Sequence, residues 1–402
     1  MHNNKLLGGI LLVVGTTIGA GMLALPVATA QLGFWGSTCL LIACWAIMTA
    51  CAFLFLEVNL WLPPESNLIS MVGATLGKGG QLIAWLIYLL LLYSILSAYI
   101  AGGGDLFHYL LGTYGIPLSN SLAAMLFTLL FGAVVYYGIR SVDYVNRGLM
   151  FGKMGAYLLL VLFILPFVNM EHLNGGALRY FTSSTSLNVT VVAFTCLMII
   201  PSLRTYFDGD VKVLRQTILI GTLIPLFCYI AWDLVIMGVV PLQGSGGLAS
   251  MVESPNSNSD LLVSLTTLLQ QNRISLLAKF FTSICMATSF LSVSLCLSDF
   301  LSDGLNVPKT GIYRWLVTGL TFLPPVLVVL FYPDAFIGGL KYAGLSCFIL
   351  MILLPPLMVW RGRYVLNLAQ GASYQVPGGK FLLTFLLLFA LLMIWFGVKD
   401  TL

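Results

Sequence analysis

From Leu82 to Leu96 the chain carries no charged residue and is apolar on every side, and such runs recur along its whole length. Inside a bilayer every backbone polar group must be satisfied internally, so spanning segments are helices or strands of a closed barrel. Barrel strands alternate in hydropathy over about ten residues; this run does not alternate. The expectation is an all-α membrane protein. Composition agrees. Of 402 residues 59% are hydrophobic and 8% charged, with a mean hydropathy of +1.00, whereas soluble domains carry roughly 25% charged residues.

Apolar runs bounded by Gly, Pro and charged residues predict eleven spans, over 6–32, 34–62, 80–110, 119–138, 150–169, 188–206, 213–240, 275–300, 312–331, 335–360 and 380–398. They form one transmembrane domain over 1–402. The longest non-spanning stretch, Gln243 to Arg273, is rich in Ser, Asn and Gly, and its apolar centre Leu261 to Leu269 reads as a short helix outside the bilayer. Basic residues orient the chain. With the N-terminus cytoplasmic, thirteen of the eighteen Lys and Arg fall inside. The five outside are Arg179, Arg273, Lys279, Lys341 and Lys399. Positive charge favours the cytoplasmic side, so the expectation is a bacterial inner-membrane protein with a periplasmic C-terminus. The five polar N-terminal residues precede no short apolar core with a small-residue cleavage site, so no removable signal is expected.

The same inventory excludes several classes. The eight cysteines lie in apolar runs without a CxxC pair and read as small buried side chains. The three histidines, His2, His108 and His172, are unclustered and placed outside the membrane core, so no metal site is expected. A net charge of +4 is scattered over loops and makes no nucleic-acid surface. Neither HExxH, GxSxG nor a nucleotide-binding loop occurs, which argues against an enzyme. A sensor would lack a soluble output domain, and a channel would lack a repeated filter or charged ring.

Two spans are interrupted. The first contains Gly8-Gly9, then Gly15-Thr16-Thr17-Ile18-Gly19-Ala20-Gly21, then Pro26; the sixth contains Thr195-Cys196 followed by Pro201-Ser202. Gly and Pro weaken helices, and non-helical backbone inside a bilayer survives where it lines a cavity. Breaks five spans apart point to a 5+5 inverted repeat, 6–169 on 188–360, with one additional helix at 380–398 and a binding site at mid-membrane.

Gly15 through Pro26 resembles the first-span signature of the hydroxy and aromatic amino acid permeases, and nearest their tyrosine branch. Supporting matches are Leu56-Glu57-Val58-Asn59, Ala98 to Gly104, Asn146-Arg147 leading to Lys153, Asp208-Gly209-Asp210 through Arg215, Ala287 to Leu291 with Asp299-Phe300-Leu301, and Tyr342-Ala343-Gly344. The resemblance implies a LeuT-like fold of the amino acid–polyamine–cation superfamily and proton-driven import, with an amino acid as substrate, no cofactor and a monomeric carrier. One departure stands out. Where the family has a Phe-Gly-Phe-His-Gly-type break, this chain reads Phe194-Thr195-Cys196-Leu197-Met198. The amino acid therefore stays open between tyrosine and another such as tryptophan, serine or threonine.

A zwitterion in a membrane needs partners for both charges. A broken helix offers N–H groups and a positive dipole end to a carboxylate, and free carbonyls to an ammonium. Thr17, Gly19, Ala20 and Gly21 are the carboxylate-side candidates, with Thr16 a further first-span candidate, and Phe194 and Thr195 of the sixth span face them. Tyr99, ahead of three glycines, is a substrate contact or an interface tyrosine. Ser289 is a ligand candidate, although Ser and Thr hydroxyls in such crowded helices usually bond their own backbone. Charged residues within the bilayer default to function. Lys153, about a turn into the fifth span, is a proton-coupling candidate or a snorkelling anchor. The resemblance adds that sodium-driven carriers of this fold hold sodium between spans one and eight, where this ammonium would substitute. Glu57 is a second proton candidate or a paired structural carboxylate. Asp299 is expected at the inner edge; Lys341 and Asp233, without an evident partner, are expected at the outer edge.

Overall fold

With so few charges, helix boundaries here are set by caps, glycines and prolines. A computed structural model describes residues 2–399 apart from 65, 245, 253, 255, 306, 309, 333, 334, 371 and 373. At 2–4, 139, 140, 143, 147, 178, 335, 398 and 399 only the backbone is described. Helices and their connections make up the described residues, without a strand.

The first apolar run becomes two helices, α1 (His2–Thr17) and α2 (Ala20–Ala28), inclined to each other by 54°. Next come α3 (Gly33–Trp61), α4 (Leu68–Thr113), α5 (Asn120–Tyr136) and α6 (Ile139–Ile164). After the short α7 (Met170–Leu173), the sixth run is again divided, into α8 (Ser184–Ala193) and α9 (Ile200–Tyr206). Then follow α10 (Val211–Val239), the short α11 (Leu248–Met251), α12 (Ser257–Leu269), α13 (Asn272–Leu305) and α14 (Gly311–Phe331). The tenth run is α15 (Ala335–Cys347), a π-helical segment Phe348–Leu353 and α16 (Leu354–Tyr364); α17 (Gly379–Lys399) ends the fold. Side-chain oxygens start several of these. Asn67 accepts from the Ser70 N–H, Ser119 from Leu122, and Asp210 from both Lys212 and Val213. Each satisfies donors that a helix start leaves unpaired.

Nine helices are long and apolar enough to cross a membrane, or ten with the bent pair as one, among the described residues. The fourth expected span is α5, apolar but only 17 residues long. Many large apolar side chains face outward, such as Leu129, Phe163, Leu323 and Leu388, which suits a hydrocarbon surround. The chain is a multi-pass membrane protein. The helix expected over Leu261 to Leu269 is present as the second half of α12.

Three differences from the sequence expectation have physical causes. The third run starts close to the expected 80, but a short helix from Leu68 precedes it in α4, the two divided at Gly77, whose backbone is not helical (φ +83°, ψ 179°). The fifth begins at Ile139 rather than 150. Its charged first turns lack an apolar stripe, yet a helix end outside the hydrocarbon needs none. Lys153 therefore lies fourteen residues into α6, roughly four turns by helix geometry rather than one. Of the cysteines, Cys39 is exposed, as a small apolar side chain can be at a lipid-facing position, and Cys228 and Cys296 are partly so, Cys296 because it borders a cavity beside Tyr88.

The divided helices sit at the centre. α2 packs on α8, α1 on α10, and α10 on α3, while α15 crosses α4 and α8, and α13 joins α4 to α6. α17 lies at the side, against the π segment and α16.

Candidate functional site

α1 stops at Thr17 because the next residues do not continue it. Gly19 is extended (φ −148°, ψ −154°) and serves as N-cap of α2, with no side chain of its own to cap with. The C-terminal carbonyls of α1 and the N–H groups of α2 thus meet in the protein interior, away from lipid. A cavity of about 740 Å3 opens at this junction. Its wall includes Gly15, Thr16, Thr17, Gly19 and Gly21 from the first span, Tyr99 from α4, Lys153 from α6, Thr195 from the sixth-run break and Ser289 from α13. Eight residues singled out by the sequence, and Lys153, are thereby placed around or directly on one space. Ala20 is tied to it through its N–H, which donates to Ser289 Oγ at 2.8 Å.

That bond shows what Ser289 does. Its neighbours Thr288, Ser292 and Ser294 turn their hydroxyls back onto carbonyls of α13, at 2.9, 2.9 and 2.5 Å. Ser289 instead caps α2 from another helix, and the Tyr99 hydroxyl lies within hydrogen-bond reach of it. Three threonines are used differently from expectation. Thr16 and Thr17 donate to Val13 O at 2.9 and 2.7 Å, and Thr195 to Val192 O at 2.7 Å. Their protons are spent on their own helices, so towards a ligand these hydroxyls offer lone pairs, suited to an ammonium.

Lys153 is 1% exposed, and its ammonium donates to Ile18 O at 2.6 Å, inside the α1–α2 break. A snorkelling side chain would reach the membrane surface; this one reaches the break. α6 packs along α13, so Lys153 stands between the first and eighth runs.

Two expected site residues lie elsewhere. Phe194 is buried behind the wall, edge-on to Tyr229 with ring centres 5.2 Å apart, because the sixth-run break turns it towards α10. Glu57 is away from the cavity. Both its oxygens are bonded to Arg363, at 2.6 and 2.5 Å, and Val376 N–H adds a third bond at 2.8 Å. Of its two readings, the paired structural carboxylate is the one the geometry supports.

Tyr229 was not legible as a site residue. It is fully buried on α10, and its hydroxyl lies 2.7 Å from Thr17 O and 2.8 Å from Ala193 O, the last residues of α1 and α8. One side chain ties the two helix breaks together. In sequence it is a single tyrosine in an apolar run, without spacing or neighbours to mark it. Asp233, expected at an exposed outer edge, is fully buried one turn further along the same helix. Asp299 is exposed and lines a second cavity, of about 380 Å3, with Trp85, Tyr88 and Phe300.

The arrangement provides a positive helix end, hydroxyl lone pairs of Thr16, Thr17 and Thr195, the ring of Tyr99 and one buried ammonium. No group of three or more metal-ligating side chains occurs among the described residues. Chemically the arrangement can hold a small zwitterion. The chain is 34% identical over 393 residues to tyrosine-specific transport system 1 of Haemophilus influenzae, covering 97% of this chain and 95% of that protein. It is 33% identical over 401 residues to a tryptophan-specific transport protein of the same organism, covering 96% and 94%. It is 31% identical over 400 residues to glutamine transporter 2 of Aliivibrio fischeri, covering 98% and 99%. Residues 2–396 match the tryptophan/tyrosine permease family as a whole, and this chain is a member of that family, a permease and not an enzyme.

Proposed function

We propose that this permease imports an aromatic amino acid, tyrosine in the first place, across the bacterial inner membrane by proton symport. The observation that carries the reading is the cavity at the α1–α2 break, where Gly19 and Gly21 at the N-terminal end of α2 face Tyr99 and Ser289. A helix N-terminus attracts a carboxylate. The carbonyl end of α1 and the lone pairs of Thr16, Thr17 and Thr195 suit the ammonium. Tyr99 offers a ring face to an aromatic side chain. Relatives named for tyrosine and for tryptophan transport support the aromatic class; a relative named for glutamine keeps the polar alternative in view.

In this reading the coupling ion is a proton on Lys153. Charged, the ammonium holds Ile18 O and stiffens the break; neutral, it donates more weakly and lets α1 and α13 separate. Two protonation states thus bias two conformations. The cavity reaches Leu11, Leu12, Asn146 and Phe151, on the side of α1 that carries the N-terminus. With that terminus cytoplasmic, as the distribution of Lys and Arg favours, the conformation faces inward. The same reading takes the eleven apolar runs as eleven spans in a LeuT-like 5+5 repeat with α17 added. The helix breaks in the first and sixth runs support it.

Uptake of labelled tyrosine into proteoliposomes, with and without an imposed pH gradient, tests this. Tyrosine should accumulate only with the gradient, and unlabelled tryptophan and phenylalanine should compete better than serine, threonine or glutamine. Competition by glutamine or serine alone would move the substrate out of the aromatic class.

A further inference from the structure

The outer end of α2 holds an arrangement of oxygens that does not contribute to the cavity. Thr29 Oγ1 lies 2.8 Å from Leu25 O, Ser37 Oγ lies 2.8 Å from Thr29 Oγ1, and Asp233 Oδ2 lies 2.5 Å from Ser37 Oγ. All three side chains are buried, Thr29, Ser37 and Asp233 each with 0% exposure. They belong to the C-cap of α2, the start of α3 and the last third of α10, so the chain of contacts joins three helices.

The surroundings favour a neutral acid. Thr29 and Ser37 bring one hydrogen each, and the Leu25 carbonyl brings none. A proton on Asp233 supplies a third, so that all three contacts are hydrogen bonds at once. Thr29 then donates to Leu25 O, Ser37 to Thr29, and the neutral carboxyl to Ser37. The other carboxyl oxygen, Oδ1, is buried with no hydrogen-bond partner. An ionised oxygen left so would be far more costly than the carbonyl oxygen of a neutral acid.

Among the described residues no charged side chain is bonded to this group, and Arg179, on the Leu178–Thr182 turn beside α3, lies on Tyr180 instead. Among the described residues α2 carries no titratable side chain, and α1 has Lys5, which is paired with Asp208 at the other end. α3 brings Cys39, Cys44, Cys51 and, at its far end, Glu57 on Arg363. α6 brings Lys153 on Ile18 O and Tyr157, whose hydroxyl bonds Cys228 O. α7 brings Glu171 and His172, the latter at 3.1 Å from Gly238 O, beyond Asp233 towards the helix end. The Leu165–Phe167 turn brings none, and α10 itself adds Tyr229 and, at its opposite end, Lys212 and Arg215.

We propose that Asp233 is a second proton-binding site, a latch that ties the outer half of the first span to α3 and α10 when protonated and frees it when ionised. Ionisation removes the third hydrogen. Ser37 then donates to the carboxylate, and the anion, buried with one oxygen that has no protein partner, draws water into the joint and parts the helices there. α2 is then no longer fastened at its outer end. A proton taken from external water by the carboxylate restores the acid and closes the latch. This rests on the transport reading for its consequence, but not for the protonation itself.

Infrared difference spectroscopy of substrate-free protein tests the protonation alone. The wild type should show a neutral carboxylic acid C=O band that shifts in heavy water and that Asp233→Asn lacks; no difference between the two would overturn the proposal. If Asp233→Asn does not fold, Ser37→Ala, a small change in a buried position, should shift that band by removing its hydrogen-bond acceptor; an unmoved band would overturn it equally. The latch itself is read from tyrosine exchange in oriented proteoliposomes. Exchange by the wild type should rise several-fold as external pH rises, and exchange by Asp233→Asn should lose that dependence while tyrosine binding stays. Wild-type dependence in the variant would refute the latch. Wild-type protein that shows the band but neither binds nor exchanges tyrosine would refute the substrate reading and leave the proton site standing.

Discussion

Two carboxylates are buried against α3, one near each end, and they are treated in opposite ways. Glu57 receives a bidentate guanidinium and a backbone N–H, so its charge is answered in full. Asp233 has one hydroxyl contact and one oxygen with no partner. Glu57 and Arg363 hold α3 to α16 as a fixed joint. Asp233 and Lys153, the latter with its single bond to Ile18 O, have fewer partners. On the proposed reading, the number of bonds a buried ionisable group receives separates anchor from switch.

That contrast is most easily broken at the anchor. Arg363→Met leaves Glu57 buried without its partner, which typically costs about 3–5 kcal/mol. The expected result is loss of monodisperse, folded protein at ordinary temperature, measured by size-exclusion chromatography and thermal unfolding. A variant that folds and transports normally would remove the distinction between the two carboxylates.

A smaller effect is expected at Tyr229, where one hydroxyl serves both helix breaks. Tyr229→Phe removes bonds to Thr17 O and Ala193 O and leaves two buried carbonyls less well satisfied, for about 1–3 kcal/mol. The ring and its packing on Phe194 remain. The expected outcome is a raised KM for tyrosine, about tenfold, in a protein that still inserts and purifies. Unchanged kinetics would mean that the breaks are held by other contacts.

The two glycines at the start of α2 sharpen the comparison at its finest scale. A Cβ on Gly19 would lie 2.5 Å from Ser289 Oγ, displacing the hydroxyl that caps Ala20 N. A Cβ on Gly21 would lie 3.6 Å from Ala193 Cα, an ordinary contact. Gly19→Ala should therefore raise the KM about fivefold, the loss of one hydrogen bond, and Gly21→Ala by less than about twofold. A larger side chain such as Leu at 21 is expected to fill the cavity and abolish uptake. Equal effects of the two alanines would argue that the cap by Ser289 is unimportant.

Much of this was legible in the sequence, for reasons that can be named. Long uncharged runs fix helices in lipid, so ten of the expected spans appear as long helices or a bent pair, and α5 as a shorter apolar one. The first-run break was legible because Gly15, Gly19 and Gly21 lie within seven residues, and it gathers most of the candidates the sequence offered. Depth was not legible. Lys153 lay beyond reach of the apolar count because the charged start of α6 hides several helical turns. Cross-helix partners were not legible either. Neither Tyr229 nor the Ser37–Asp233 contact has a local signature, since the residues that meet are separated by up to 212 positions in the chain. The direction of Phe194 depends on the local backbone of the sixth-run break, which residue identity alone does not determine.

The central claim is that substrate and proton meet at the α1–α2 break through Lys153. It is tested most directly by adding tyrosine to proteoliposomes loaded with a pH-sensitive dye, in the absence of a gradient. Wild-type protein should carry protons inward with tyrosine and acidify the lumen. Lys153→Met should exchange labelled tyrosine yet move no protons, because the site binds substrate without the group that releases one. Lumenal acidification by Lys153→Met at the wild-type rate would contradict the account.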